Sequence, residues 1–454
     1  MSEKPSLVWL RNDLRLSDNP ALHAALERKA PVIMVYIHDE ESAGVRPLGA
    51  ATRWWLHHSL TALSHDIAQL GGQLILRSGE ASPIILELAA THDVGAVFWN
   101  RRYGRARDND AVLKEKLRSQ GISCDSFAGN LMFEPWKIKN GEGNPFRVFT
   151  PFWRACLASE PPRVPLPAPT ALSSVPNVVG EELESWALMP SNEWSHGLAA
   201  LWTPGEQGAQ NRLETFVDET LSSYHRRDEP GIESTSRLSP HLRFGEISPH
   251  AIWNRLESGV PELAEKNTAK FLSEVGWREF SYNILFHQPE LAEKNFRPEF
   301  DKFPWDEPDP AAVKAWQKGV TGVPLVDAGM RELWHTGYMH NRVRMVAASF
   351  LIKNLFVHWK VGEAWFWDTL VDADEANNPA SWQWVAGSGA DAAPYFRIFN
   401  PFLQADKFDA EGIYRARWLG EDPAGYPEEP IVDMKASRDR ALAAFAELKA
   451  LRQA

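Results

Sequence analysis

Short apolar or β-branched runs occur at 6–9, 31–38, 73–76, 96–100 and 122–127, each the length of a buried strand. Between them, 19–27, 50–70, 83–92 and 106–120 carry apolar residues at three-to-four spacing, the period of an amphipathic helix. Strict alternation of the two periods predicts an α/β domain over residues 1–130, a doubly wound five-stranded parallel sheet covered on both faces. Its ligand is expected outside the carboxyl ends of the strands. Residues 131–203 contain Pro161, Pro162, Pro165, Pro167, Pro169 and Pro176, a density that blocks helix and sheet ladders alike. They read as a long interdomain linker, with 130–153 expected to pack on the first domain. From 204 to 454 the period is helical, at 207–224, 251–257, 268–285, 311–318, 326–336, 343–359 and 436–451. No comparable strand runs or solenoid repeats accompany them, so the second domain is expected to be all-α.

Composition narrows the function. A chain of 454 residues, 44% hydrophobic and 24% charged, without an apolar run of bilayer length, excludes disordered, fibrous and membrane-spanning classes. Two cysteines, Cys124 and Cys156, cannot build a disulfide scaffold or a four-cysteine metal or iron–sulfur site. Charges in the N-terminal stretch argue against a secretory signal, so a cytoplasmic protein is expected. The net charge of −12 requires that any nucleic-acid partner meet a local basic patch. Twenty tryptophans are an excess that core filling explains in large part; aromatic ligands, stacked bases or electron transfer are the alternatives.

The sequence holds no His-Glu-x-x-His and no Gly-x-x-x-x-Gly-Lys-Ser/Thr, so neither a zincin nor a P-loop is indicated. Gly387-Ser-Gly389-Ala-Asp-Ala392 imitates a dinucleotide fingerprint, but it follows Trp382-Gln-Trp384 rather than a strand, and Asp391 would repel phosphates. Four other segments carry chemistry. Tyr224-His-Arg-Arg is followed by Ser234-Thr-Ser-Arg-Leu-Ser-Pro240, whose hydroxyls and arginine within five residues could hold a phosphate, or serve as a helix cap. Glu274, Trp277 and Arg278 share one helix face, with an ordinary Glu274–Arg278 ion pair as the plain reading. Arg331, Arg342, Arg344, Lys353 and Lys360 against Glu332 make the window 331–360 +4, the footprint of phosphate contact or a solvated face. Asp372 and Asp374 precede Asn377-Asn378 and Trp382-Gln-Trp384. No ligands at metal spacing accompany them, so no metal is assigned and ribose hydroxyls or ring N–H groups are the expected partners.

Joined, Thr-Ser-Arg-Leu-Ser, Trp-Arg-Glu-Phe, Met-His-Asn-Arg-Val-Arg-Met and Asn-x-x-x-Trp-Gln-Trp leading to Asp-Ala-Ala-Pro-Tyr-Phe-Arg-Ile-Phe-Asn-Pro resemble the photolyase/cryptochrome family. Trp9-Leu-Arg-Asn-Asp-Leu-Arg-Leu-Ser-Asp-Asn19 is similar to the family's opening signature, and the domain order is also the family's. The resemblance is greatest to bacterial cyclobutane pyrimidine dimer (CPD) photolyases. It implies a light-driven enzyme of DNA repair. Excited, reduced FAD (FADH⁻) would give an electron to a CPD flipped out of UV-damaged DNA. It also implies a monomer with no membrane association.

The same resemblance assigns residues. Tyr224, Thr235, Ser236, Arg237, Leu238 and Ser239 would hold the FAD phosphates and neighbouring parts. Phe271 and Tyr338, where some relatives carry tryptophan, would pack on FAD. Arg278, Asn341, Arg344, Asp372 and Asp374 would line flavin and ribose, with Asn378 facing the flavin N5. Glu274, Trp277, Asn341, Arg342, Met345 and Trp384 would contact the dimer. Trp382, then Trp359, then Trp305 or Trp316 nearer the surface would form the electron route. Loops at His38-Asp-Glu-Glu, Arg46-Pro-Leu-Gly and Arg53-Trp54-Trp55-Leu resemble those near the family's antenna site, with Trp54 and Trp55 equally readable as core. The segment beginning Asn100-Arg-Arg-Tyr103 lacks the Asn-Glu pair of folate-binding members. Folate, deazaflavin, a second flavin and an empty site all stay open. Two rivals remain. A (6-4) photolyase would need histidines where Asn341 and Met345 stand. A cryptochrome-type photoreceptor would be expected to lose dimer contacts or to carry a long tail beyond the helix at 436–451.

Overall fold

The computed structural model describes residues 3–190, 193–257, 265–392, 396–420 and 426–451. Ala393, Pro394 and Tyr395, part of the last motif above, lie outside the described residues. The first half carries β1 (Ser6–Leu10), α1 (Pro20–Glu27), β2 (Val32–His38), α2 (Ala50–Gln69), β3 (Leu74–Ser78), α3 (Ala81–Thr91), β4 (Ala96–Asn100), α4 (Arg107–Ser119) and β5 (Ser123–Phe127). All strands are parallel in the order β3-β2-β1-β4-β5, with Ser6 opposite both Val32 and Ala96. β1 and β4 are buried throughout because helices cover both faces, whereas the edge strand β5 is mostly half-exposed. Alternate residues of β1 feed two cores. Val8 and Leu10 join Trp54 and Trp55 of α2, while Leu7 and Trp9 join α3 and α4. Trp54 and Trp55 are therefore core residues.

The segment after the sheet corrects an expectation. Within 131–203 lie α5 (Phe149–Leu157) and α6 (His196–Leu201). Residues Phe149, Phe152, Trp153 and Cys156 form an apolar stripe on α5 that meets Phe280 and Ile284 of the helical half, whereas the stretch before α5 packs on the first domain as expected: Glu134 Oε1 accepts from Arg101 Nη1 at 3.0 Å and from the Tyr103 hydroxyl at 3.1 Å. Farther on the chain does follow the sheet: Val32 N donates to Ser173 O, and Leu172 N to Leu70 O.

The second half is helical: α7 (Glu206–Thr215), α8 (Ser239–Phe244), α9 (Pro249–Glu257), α10 (Glu265–His287), α11 (Pro310–Lys318), α12 (Pro324–Thr336), α13 (Asn341–Ser349), α14 (Trp359–Thr369), α15 (Asn377–Ala386), α16 (Pro401–Phe408), α17 (Ile413–Leu419) and α18 (Met434–Leu451). Two expected helices change period. α7 passes into a π-turn at Phe216–Thr220 and a 3-10 stretch at Leu221–Arg226. The run at 343–359 ends in a π-turn at Phe350–Asn354 and breaks where Phe356 adopts φ +61°; His358 Nδ1 then accepts Lys360 N and starts α14. The dinucleotide-like Gly387-Ser-Gly389 is a helix ending, with Gly387 at φ +95° capping α15. No helix among the described residues is long and apolar enough to cross a membrane.

Buried polar contacts join the halves. Arg15, 1% exposed, donates to Gly245 O at 2.8 Å and Gly129 O at 2.6 Å. Trp55 Nε1 donates to Glu246 Oε1 at 2.9 Å. Gly245 takes φ +64°, and a Cβ there would fall 1.9 Å from Asn12 O, so this junction requires glycine.

Candidate functional site

The helical half holds an open cavity of about 550 Å³ between the 235–239 loop and α10, α13, α14 and α15. Tyr224, Thr235, Ser236, Arg237, Leu238, Ser239, Phe271, Arg278, Tyr338, Asn341, Arg344, Asp372, Asp374 and Asn378 all line it. So do Glu274, Trp277, Arg342, Met345, Trp382 and Trp384. Four segments distant in sequence therefore face one hollow, of a size that suits an organic cofactor.

One end is polar. Arg237 sits at φ +52°, a left-handed turn in the Thr-Ser-Arg-Leu-Ser loop. Ser239 Oγ donates to Asp372 Oδ2 at 2.7 Å, and Arg344 grips the same carboxylate through Nη1 and Nη2 at 3.0 and 2.9 Å. Burial opposes the Arg344 charge, but the Asp372 carboxylate outweighs it and holds the guanidinium pKa above its ordinary value. Asp374 accepts Ala376 N at 2.8 Å and Asn377 Nδ2 at 2.6 Å, which holds the start of α15. Tyr224 meets Phe271 edge-on, with centroids 5.4 Å apart.

Asn378 is 8% exposed and spends both amide hydrogens on Glu363, donating to its backbone O at 3.1 Å and to Oε1 at 2.9 Å. Its Oδ1 is thus the atom left for the cavity. Trp382, 2% exposed, lies edge-on to Phe366 at 4.9 Å. A Cβ on Gly362 would come within 2.0 Å of the Trp382 ring, so only glycine lets α14 approach α15 this closely.

The substrate-type residues line the same cavity. Trp277 stacks on Phe149 with centroids 3.9 Å apart and planes 11° from parallel. Glu274 pairs with Lys270 at 2.7 Å and lies 3.7 Å from Arg227. The Glu274–Arg278 pair expected from helical spacing is absent; Arg278 Nη1 instead donates to Asn130 O at 2.9 Å and lies 3.3 Å from Glu279 Oε1. Arg342 pairs with Asp228 at 2.9 Å and covers Phe408. Trp384 lies beneath the Arg397 guanidinium, 4.6 Å from it.

Two further expectations are corrected. The basic window 331–360 is not one continuous exposed patch: Lys353 is fully buried, donating to Ala386 O at 2.8 Å, and Arg344 is spent on Asp372, which leaves Arg331, Arg342 and Lys360. Burial pushes the Lys353 ammonium pKa well below its usual value. Trp316 does not lie nearer the surface; it is fully buried, 6.3 Å from Trp382, and donates to Ala347 O. Trp305 is half-buried and lies 5.4 Å from the His358 ring, itself 5.5 Å from the buried Trp359. These three tryptophans do not line the cavity.

Phe149, Arg227, Asp228 and Glu363 contact or line the site without having been singled out as site residues. Arg227 stood in the quoted Tyr224-His-Arg-Arg without a role; the others carry no local signal.

Behind Arg278, fully buried Glu279 accepts Met132 N and Phe133 N, both through Oε2, at 2.9 and 3.1 Å. Burial raises its pKa from 4.5 to about 7, against the opposing pull of Arg278. A carboxyl with a raised folded pKa contributes most below its unfolded value, and that contribution is lost as pH rises through the folded one. Between about pH 4.5 and 7 the protein therefore loses on the order of 3 kcal/mol through this group. Glu279→Gln keeps a carbonyl for both N–H groups and removes the titration. Urea unfolding across this range should show the variant's stability falling less with pH than the original's; parallel curves would contradict the assignment.

A second cavity, of about 110 Å³, opens at the carboxyl ends of β1, β2 and β4, where the sheet order reverses. His38, Asp39, Glu40, Arg46, Arg101 and Arg102 line it, and Arg278, Asp374 and Leu242 line both cavities.

Against FAD, the larger cavity has complementary chemistry. Hydroxyls, Arg237 and aromatic rings all line it. Arg278 Nε, Arg342 Nε and Trp382 Nε1 are buried donors with no protein acceptor, a match for a ligand rich in phosphate, carbonyl and ring-nitrogen acceptors.

Comparison with known proteins agrees with this chemistry. The family model for the FAD binding domain of DNA photolyase matches residues 271–424, and the model for DNA photolyase matches 6–170. A deoxyribodipyrimidine photo-lyase of Agrobacterium fabrum is 48% identical, covering 98% of each chain. Cryptochrome-2 of Arabidopsis thaliana is 38% identical over 92% of this chain and 71% of its own. A bacterial class III photolyase from Agrobacterium tumefaciens, solved by crystallography, superposes with a TM-score of 0.94 at 46% identity, covering 99% of this chain and 98% of its own.

Proposed function

The chain belongs to the DNA photolyase family, and on that premise we propose that it is a deoxyribodipyrimidine photo-lyase that splits cyclobutane pyrimidine dimers in UV-damaged DNA. The observation that carries this reading is the meeting of the cofactor-type and substrate-type residues in one cavity of about 550 Å³. Bound, reduced FAD supplies the light-driven electron that opens the cyclobutane ring and is returned without net redox change.

The protein's own residues bind and orient. Thr235, Ser236, Ser239 and Arg237 hold the phosphates through hydroxyl and charge-assisted hydrogen bonds. The Arg344–Asp372 pair fixes the polar wall between phosphates and flavin. Asn378 presents a neutral carbonyl oxygen, so no like charge opposes an anionic reduced ring.

A fused dimer pairs and stacks poorly, which makes it cheaper to evert than an intact step. Trp277 and Trp384 give it flat walls, and Glu274 accepts from a thymine N3–H. Arg342 and Arg397 at the rim meet backbone phosphates. Trp305, Trp359 and Trp382 relay electrons inward to restore the reduced cofactor.

The (6-4) alternative needs a protonated histidine in the pocket. Among the described residues no histidine lines the cavity; His340, next to Asn341 in the chain, caps α13 by accepting Arg342 N, and burial lowers its pKa to about 4. It is neutral at physiological pH.

Photoreversal tests the reading against a signalling role. UV-irradiated oligothymidylate should regain thymine absorbance under blue light with the reduced protein and not in the dark. Flavin binding without such recovery would favour a photoreceptor. Asn378→Asp places a carboxylate where the neutral oxygen stood, and the resting flavin spectrum should move away from that of the fully reduced anion. An unchanged spectrum would remove Asn378 from the flavin ring.

A further inference from the structure

Arg46 follows β2 in a loop assigned above only to the antenna region, and its side chain crosses into the helical half. Its Nη1 donates to Glu363 Oε1 at 2.6 Å and its Nη2 to Oε2 at 3.0 Å. The guanidinium also covers the Trp367 ring at 4.0 Å. The Glu363 side chain is 4% exposed, and its Oε1 is the atom that accepts Asn378 Nδ2. The domains are tightly registered here. Trp367 Nε1 donates to Pro47 O at 2.8 Å, Ala50 N donates to Asp368 Oδ1 at 2.9 Å, and a Cβ on Gly49 would lie 2.2 Å from Trp367 O.

A carboxylate gripped by a guanidinium fork can only accept. Asn378 must then turn its NH₂ group to Glu363 and its oxygen to the cavity. Without the cation, a buried carboxyl either keeps its charge beside the flavin or takes up a proton. The first repels added electron density. The second makes it a donor, so that the Glu363 backbone O alone still requires the NH₂ group on its side and the orientation of the amide oxygen toward the flavin loosens. Both outcomes disfavour reduced flavin.

We infer that Arg46 is a positioning residue of the reaction: by pairing with Glu363 across the domain boundary, it fixes the Asn378 amide with its oxygen toward the flavin. The inference rests on the proposed FAD site with Asn378 at the reacting ring.

The test uses the full-length, flavin-loaded protein poised at a fixed potential with indicator dyes, and reads the oxidised-to-reduced flavin ratio from absorbance. Loss of a charged hydrogen-bond partner predicts that Arg46→Met raises this ratio about tenfold. Arg46→Lys, which keeps the charge and loses the fork, raises it about threefold or less. Should Arg46→Met fail to fold, Arg46→Gln, which keeps a donor and loses the charge, should raise the ratio in the same direction. Asn378→Asp is the control. If it moves the ratio while the Arg46 variants stay within about twofold of the original, the positioning role is overturned and the site reading stands. If Asn378→Asp also leaves the ratio unchanged, the placement of Asn378 is wrong and the role of Arg46 falls with it.

Discussion

Trp382→Phe should abolish most light-driven reduction of bound oxidised flavin, while protein reduced chemically beforehand repairs dimers at close to its original rate. Of the tryptophans that line the cavity, Trp382 is the buried one, 2% exposed and packed toward the protein interior, so it is positioned to pass an electron inward. Phenylalanine keeps a flat apolar ring there but is far harder to oxidise. Trp316 also touches Trp382, yet it is buried on all sides and offers no exit to solvent. Trp359 leads through His358 to half-buried Trp305. Bleaching of the flavin band under blue light with an external donor measures the first claim, and photoreversal by pre-reduced protein the second. Bleaching at the original yield would place the electron route elsewhere.

Trp277→Ala should weaken binding of dimer-containing DNA and leave undamaged DNA and flavin nearly unaffected. The indole is held flat by Phe149 from α5, a rigid platform that costs little entropy on binding. Stacking of a base on an aromatic ring is worth about 1–3 kcal/mol, so affinity should fall about ten- to a hundredfold. Measured by titration of damaged and intact oligonucleotides at one salt concentration, an equal loss for both would mean that Trp277 contacts backbone rather than the everted bases. Salt must be fixed because the basic rim works against a net charge of −12.

Much of this was legible in the chain. β4 matches its expected run of 96–100 because a strand buried on both faces is nearly all apolar, as Ala96–Trp99 are ahead of the buried Asn100. The site motifs were legible because each binds through a side chain whose chemistry is visible in the residue type. What failed was information that periodicity does not carry. The prolines that signal a linker all lie beyond Leu157, so a linker drawn from residue 131 passes over α5, and with it the platform under Trp277. The left-handed turn at Phe356 split an apparently continuous helix.

Helical spacing placed Glu274 on the correct face but named the wrong partner, since Lys270 on its own helix and Arg227 from another segment lie closer than Arg278. A charge sum counted Lys353 as surface although it is buried. Arg46 and Glu363 are 317 residues apart, and only folding brings them together.

The central claim is that the helical cavity holds reduced flavin directly beside an everted dimer. The fluorescence lifetime of the reduced, flavin-loaded protein tests it most directly, with dimer-containing and undamaged oligothymidylate compared at saturation. Transfer of the excited electron to the dimer predicts a lifetime shortened by the damaged strand alone. Equal lifetimes with both strands bound would contradict it.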